Sequence, residues 1–199
     1  MLLNEIIADI ILYLNDENLW DIIQLCMSNP IFPEIIGYIR LPINLWNYRN
    51  KITDREIKSL SGVHTINLTD CMNITNDGVK VLSGVHTINL SGCRNITDYG
   101  ISALAGVKNI DLTYCKKITD NEIKVLAGVH TINLTYCNNI TDNGIKALAG
   151  VHTINLSRCD KVTDDGIKSL AGVHTIILFN CINITDEGIK SLKNAKIYR

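Results

Sequence analysis

Val63-His64-Thr65-Ile66-Asn67-Leu68-Thr69-Asp70-Cys71-Met72-Asn73-Ile74-Thr75 is the stretch whose reading decides the fold, because it returns every 22 residues almost to the C-terminus. Aligned on Ile-Thr-Asp, the copies start at Ile52, Ile74, Ile96, Ile118, Ile140, Val162 and Ile184; six are complete and the seventh stops at Arg199. Self-similarity at a fixed period of this length marks a solenoid, in which each coil buries its apolar face only by stacking on its neighbours. Apolar residues fall at Val63, Ile66, Leu68, Cys71 and Ile74 of each copy. Residues 63–68 are short and β-branched, so they read as a strand with Ile66 and Leu68 inward and Thr65, Asn67 and Thr69 outward. Stacked copies predict a parallel ladder about 30 Å long. Thr53-Asp54 and its equivalents open a short helical or 3-10 arm, with Thr or Asp as N-cap. Asp54 and Lys58, and the same pairs at 120/124, 142/146, 164/168 and 186/190, suit an i,i+4 ion pair. Gly62 and its equivalents end the arm.

The spacing L-x-x-L-x-L-x-x-C-x-x-I, with C-x-x-I-T-D inside it, resembles the cysteine-containing leucine-rich repeats of F-box proteins over residues 52–199. That resemblance implies an α/β leucine-rich-repeat solenoid, with a parallel sheet on its concave side and short helices or 3-10 turns on its convex side.

The remaining composition is consistent with such a scaffold. An apolar content of 46% supplies a continuous core, and a net charge of -1 gives no field to attract nucleic acid or an acidic membrane. No apolar run reaches the ~18 residues a bilayer requires, and the N-terminus has no secretory signature, so a cytoplasmic chain is expected. Six of the seven cysteines sit on the repeat grid at 71, 93, 115, 137, 159 and 181. They read as a buried, reduced ladder paired with backbone at the strand-to-loop bend, not as disulfides or metal ligands. The column His64, His86, His130, His152 and His174 is broken by Lys108 and has no carboxylate or cysteine beside it, so it predicts no metal site. No phosphate-binding loop, nucleophile elbow or zinc-protease motif occurs, and no catalytic residue or cofactor is expected.

Residues 1–50 differ in kind: they hold all three prolines and both tryptophans and lack the repeat. Leu2, Leu3, Ile6, Ile7, Ile10, Ile11 and Leu14 form one helical stripe. A second helix carries Leu19, Trp20, Ile22, Ile23, Leu25 and Cys26 and stops at Pro30. Residues 33–39 read as a short third helix, and 41–46 as a degenerate first coil. Residues 2–26 resemble the front of an F-box, L-P-x-E-I-x-x-x-I-x-x-x-L followed by D-L-x-x-L-x-x-V-C. Glu5, Ile6, Ile10, Leu14, Leu19, Ile22, Leu25 and Cys26 carry the match; Leu3 replaces the usual Pro and Asn29 the usual aromatic residue. The Ile/Asn/Lys-rich wording of near-identical repeats is similar to F-box/leucine-rich-repeat proteins of amoeba-infecting giant viruses, which implies host cytoplasm or nucleus.

What the resemblance implies is a substrate-recognition subunit of a cullin–RING ubiquitin ligase. Leu2, Leu3, Ile6, Ile10, Leu14, Leu19 and Ile22 would dock on the Skp adaptor, and the repeats would hold a substrate protein. The chain would be a monomer outside that complex. The alternative is a free-standing repeat scaffold whose helical head only caps the N-terminal coil. Between near-copies the informative positions are those that differ. The columns Asp70/Gly92/Tyr114/Tyr136/Arg158/Asn180 and Met72/Arg94/Lys116/Asn138/Asp160/Ile182 change chemistry along the chain, and Ile177 and Phe179 replace polar residues. Tyr114, Tyr136, Arg158, Ile177 and Phe179 are the expected partner contacts. Drift at exposed positions would give the same variation, and Ile177 and Phe179 could instead pack under a C-terminal cap.

Overall fold

Alternation over Thr65-Ile66-Asn67 turns the isoleucine inward and leaves its two neighbours half-exposed, and this three-residue strand recurs once per coil. The computed structural model describes residues 19–28 and 42–199. Helix α1 (Leu19–Ser28) is followed by strand β1 (Ile43–Asn44) and a 3-10 turn (Trp46–Tyr48). Helices and strands then alternate through α2 (Asp54–Lys58), β2 (Thr65–Asn67), α3 (Asn76–Lys80), β3 (Thr87–Asn89), α4 (Asp98–Ile101) and β4 (Asn109–Asp111). The second half continues with α5 (Asp120–Ile123), β5 (Thr131–Asn133), α6 (Asp142–Ala147), β6 (Thr153–Asn155), α7 (Asp164–Lys168), β7 (Thr175–Ile177), α8 (Asp186–Lys190) and β8 (Lys196–Tyr198). All eight strands form one parallel sheet in sequence order.

The register follows the repeat. Ile66, Ile88, Ile110, Ile132, Ile154 and Ile176 pair in succession, and the ends add Ile43 opposite Ile66 and Ile197 opposite Ile176. The degenerate coil at 41–46 therefore supplies a real first strand, so the sheet starts within residues 1–50. Val63, Ile66, Leu68, Cys71 and Ile74, with their equivalents, are buried in a single continuous core. Each fully buried Val, Leu or Ile stabilises the stack by roughly 1.5–3 kcal/mol.

Helices of four to six residues are too short to persist alone. A threonine N-cap starts each one, its hydroxyl accepting the N–H two residues on, as Thr53 accepts from Arg55 at 3.2 Å. The acid that follows does not form the expected i,i+4 pair. Asp54 reaches the next coil, where its carboxylate accepts the Thr75 N–H (2.8 Å) and hydroxyl (2.5 Å). The helical ion pairs are i,i+3 instead: Asp77–Lys80 at 3.8 Å, Asp165–Lys168 at 2.9 Å, and Glu187–Lys190. Two charge-assisted bonds, one from a fixed backbone N–H and one from the hydroxyl beside it, outweigh one flexible surface ion pair.

Helix α1 packs against the first coil of the described solenoid. Leu19, Ile22 and Ile23 lie in the same core as the repeats, and the Trp20 ring stacks on Tyr48 with centroids 5.7 Å apart. The expected helix over 2–14 and the short one at 33–39 lie outside the described residues. No helix among those described is long and apolar enough to cross a membrane.

Candidate functional site

The concave face is a shallow trough of about 550 Å³ running from Pro42 to Asn133, lined by the outward threonines and asparagines of the strands. Much of its polarity is already committed. Asn67 Oδ1 accepts both the N–H (2.9 Å) and the hydroxyl (2.6 Å) of Thr69, and Asn133 and Asn155 repeat this with Thr135 and Ser157. These side chains shape the bend at the end of each strand.

At that bend the chain makes a β-turn. The Cys71 N–H donates to the Leu68 carbonyl at 3.0 Å, and every later coil has the same bond, from Cys93–Leu90 through Cys181–Leu178. The third turn residue has positive φ throughout: 57° at Asp70, 74° at Gly92, 61° at Tyr114, 62° at Tyr136, 58° at Arg158 and 57° at Asn180. Gly and Asn suit this conformation, while a Tyr or Arg there costs about 1–2 kcal/mol. Three bulky residues thus occupy, in consecutive coils, a position that disfavours them.

Those residues form one ladder along the sheet edge. The Tyr114 and Tyr136 rings stack with centroids 4.2 Å apart, and the Arg158 guanidinium lies 5.2 Å from the Tyr136 centroid. The Tyr136 hydroxyl is the main influence raising the phenol of the exposed Tyr114 above its usual range. Beyond it a pocket of about 310 Å³ is lined by Arg94, Tyr114, Lys116 and Lys117. Ile177 and Phe179 lie near the C-terminal end, where Ile177 is half-buried and pairs with Tyr198, and Phe179 is 48% exposed. The Ile177 side chain has no oxygen with which to make the strand-end bond of Asn155, and Phe179 is not covered by β8.

Of the residues expected to dock on an adaptor, Leu19 and Ile22 are buried in the core that joins α1 to the first coil. Leu2, Leu3, Ile6, Ile10 and Leu14 lie outside the described residues. The cysteine ladder is as expected: Cys93, Cys115, Cys137, Cys159 and Cys181 donate to Leu68, Leu90, Leu112, Leu134 and Leu156 of the preceding coil at 3.0–3.1 Å. Burial pushes the Cys71, Cys115 and Cys159 thiols up to about 12. The histidines line up as well: His64–His86 and His152–His174 stack with centroids 4.5 Å and 4.4 Å apart, while the His130 and His152 rings, 4.4 Å apart, are tilted by 46°. Among the described residues, no cluster of three or more His, Cys, Asp or Glu could hold a metal.

Lys117 is a site residue that sequence reasoning missed. In four coils this position is an asparagine whose amide donates to a carbonyl of the preceding coil: Asn73 to Asn50 (3.1 Å), Asn95 to Met72 (2.7 Å), Asn139 to Lys116 (2.7 Å) and Asn183 to Asp160 (2.6 Å). The signal was present in the column Asn73/Asn95/Lys117/Asn139/Lys161/Asn183, but its meaning depends on the neighbouring coil.

A family model described as "Leucine Rich repeat" matches residues 85–105, 129–149 and 151–171. No curated protein sequence matches the chain significantly. Among solved structures, a chain of the Rad7 and Elc1 complex in yeast is similar at 16% identity, covering 75% of this chain and 44% of that one, with a TM-score of 0.63. Internalin C2 from Listeria monocytogenes is similar at 24% identity, covering 72% and 63% of the two chains, with a TM-score of 0.56. An internalin F from the same organism gives 16% identity, 83% and 48% coverage, and a TM-score of 0.59. The chain thus spans less than two thirds of each of these neighbours, and at such identities the likeness defines the fold alone. That fold is a leucine-rich-repeat solenoid.

Proposed function

We propose that the chain is a protein-interaction adaptor. Its repeats hold a target protein along the sheet edge that carries Tyr114, Tyr136, Arg158, Ile177 and Phe179. Its N-terminal helices join it to the Skp adaptor of a cullin–RING ubiquitin ligase. The observation that carries the scaffold part is where the repeat departs from its own structural rules. Tyr114, Tyr136 and Arg158 stand at positive φ where Gly, Asp or Asn stand in the other coils, and Ile177 and Phe179 replace the Asn and Thr/Ser of the strand-end bend. Drift relaxed only by solvent exposure would not favour residues that destabilise the turn; a binding surface accounts for them.

The ligase part rests on the F-box-like pattern of residues 2–26 ahead of cysteine-type repeats, and it implies work in the cytoplasm or nucleus of a host cell. Support of a coarser kind comes from a structural neighbour that belongs to a complex, that of Rad7 with Elc1. Because Leu19 and Ile22 are buried, docking falls to Leu2, Leu3, Ile6, Ile10 and Leu14. Copurification of the full chain with the Skp adaptor tests it, with Ile6→Asp and Ile10→Asp as the comparison. Association that both substitutions abolish supports docking, and no association with the native chain removes it.

A second reading has its own observation. Leu19, Ile22 and Ile23 share the solenoid core, as a pure N-terminal cap requires, which fits a free-standing repeat binder. Stable complexes containing one non-ligase partner would favour that reading.

A further inference from the structure

Two departures from the repeat's structural rules meet in a single coil. Tyr114 holds a positive φ of 61° that favours Gly or Asn, and Lys117 replaces the asparagine that elsewhere bonds back to the preceding coil. Lys161, the other lysine in that column, recovers a bond to Asn139 Oδ1 at 3.2 Å, but Lys117 has no hydrogen-bond partner among the described residues. Lys116, whose ammonium is 5.9 Å from the Tyr114 centroid, and Arg94 complete the pocket. All three cations are exposed, and none belongs to the ion pairs of the described residues. The acid of the same coil's strand is occupied, since Asp111 accepts from the Thr113 N–H at 2.8 Å and from the Asn133 amide at 3.1 Å. Three positive charges without an ion-pair partner among the described residues thus line one pocket with an aromatic ring, in a chain of net charge -1, an arrangement that favours an anion.

Resting on the reading of this edge as a partner surface, we infer that the pocket of Arg94, Tyr114, Lys116 and Lys117 binds a carboxylate-rich segment of the partner protein. Arg94, Lys116 and Lys117 take Asp or Glu side chains, and the Tyr114 ring supports the peptide between them. Aromatic rings beside cations also suit single-stranded nucleic acid, but here the Tyr114 and Tyr136 rings are only 4.2 Å apart and admit no base between them. The adjoining sheet face carries Thr, Asn, Ser and Asp111 from β2 to β6, with no lysine or arginine to follow a phosphate backbone.

The test is fluorescence anisotropy with the full chain and a labelled twelve-residue peptide of Glu and Gly, against the same peptide with Gln for Glu. The Glu peptide should bind in 50 mM NaCl and weaken as salt rises, and the Gln peptide should not bind. Lys117→Asn, which restores the residue of the neighbouring coils, should weaken binding up to about fivefold while leaving the melting temperature unchanged or higher. The triple variant Arg94→Gln, Lys116→Gln, Lys117→Asn should lose about tenfold or more. Equal binding of the Glu and Gln peptides, binding indifferent to the triple variant, or tighter binding of oligouridylate than of the Glu peptide would each overturn the inference. Phe179→Asp separates this result from the wider reading. If it abolishes capture of a copurifying partner while the Glu peptide fails to bind, the scaffold stands and the acidic ligand falls.

Discussion

The Asp142 carboxylate bridges to Thr163 in the next coil, accepting its backbone N–H at 2.8 Å and its hydroxyl at 2.7 Å. The same rung links Asp54 to Thr75, Asp98 to Thr119, Asp120 to Thr141 and Asp164 to Thr185. Thr163 is also the N-cap of α7, so one residue closes its own helix while being held by the helix behind it.

Asp142→Ala removes both bonds and leaves the Thr163 N–H to water. Urea unfolding should show a loss of about 2 kcal/mol. Asp142→Asn should cost under about 1 kcal/mol, because the chain already contains that solution. Asn76 accepts the Thr97 N–H at 2.9 Å and donates to its hydroxyl at 3.0 Å.

The hydroxyl and N–H of Thr185 hold the Asp164 carboxyl below its usual value of 3.8. A depressed folded value means that the unfolded chain binds the proton first. The stabilisation is therefore complete above about pH 4 and lost as pH falls through the folded value. Thermal melts between pH 2 and pH 5 should show this loss, and Asp164→Asn should reduce the slope.

Burial protects the cysteine ladder chemically. In a Cys26→Ser background, the six repeat thiols should resist a disulfide reagent at pH 8 in native buffer and react on unfolding in urea, because the thiolate is the reactive form. Cys137→Ala, which empties a fully buried site and strips a donor from the Leu112 carbonyl, should cost about 1–2 kcal/mol.

His152 lies between His130 and His174, stacked on the latter and tilted against the former, and desolvation followed by the charges of these two neighbours lowers its value from 6.5. An NMR titration should find it protonating below pH 6.5, and His174→Asn should move the midpoint back up. The sign is that of a depressed group: any contribution to stability is present above about pH 6.5 and fades as the pH drops through the folded value.

The 22-residue period and the alternation of Ile66 and Leu68 with Thr65, Asn67 and Thr69 were enough to read the coil and its inward face, and narrowed the helix cap to Thr or Asp, of which the structure takes Thr. These depend on neighbours within a few residues along the chain. The same is true of the cysteine ladder, whose burial followed from its place on the apolar grid.

Polar partners were not legible in this way. Asp54 next to Lys58 suggested an ion pair within one helix, yet its oxygens belong to Thr75. The local sequence assigns no partner to the Asn95 amide, which donates to the Met72 carbonyl of the preceding coil. The variable column at Tyr114 was visible as variation, while its positive φ appeared only once the turn between Leu112 and Cys115 was formed. The sequence by itself determined that this chain stacks and which face it buries, because burial is decided by local periodicity. Only the tertiary structure decided what each polar side chain bonds to and which residues stand against the turn's preference, because those partners lie about 22 residues away and become neighbours only when one coil rests on the next.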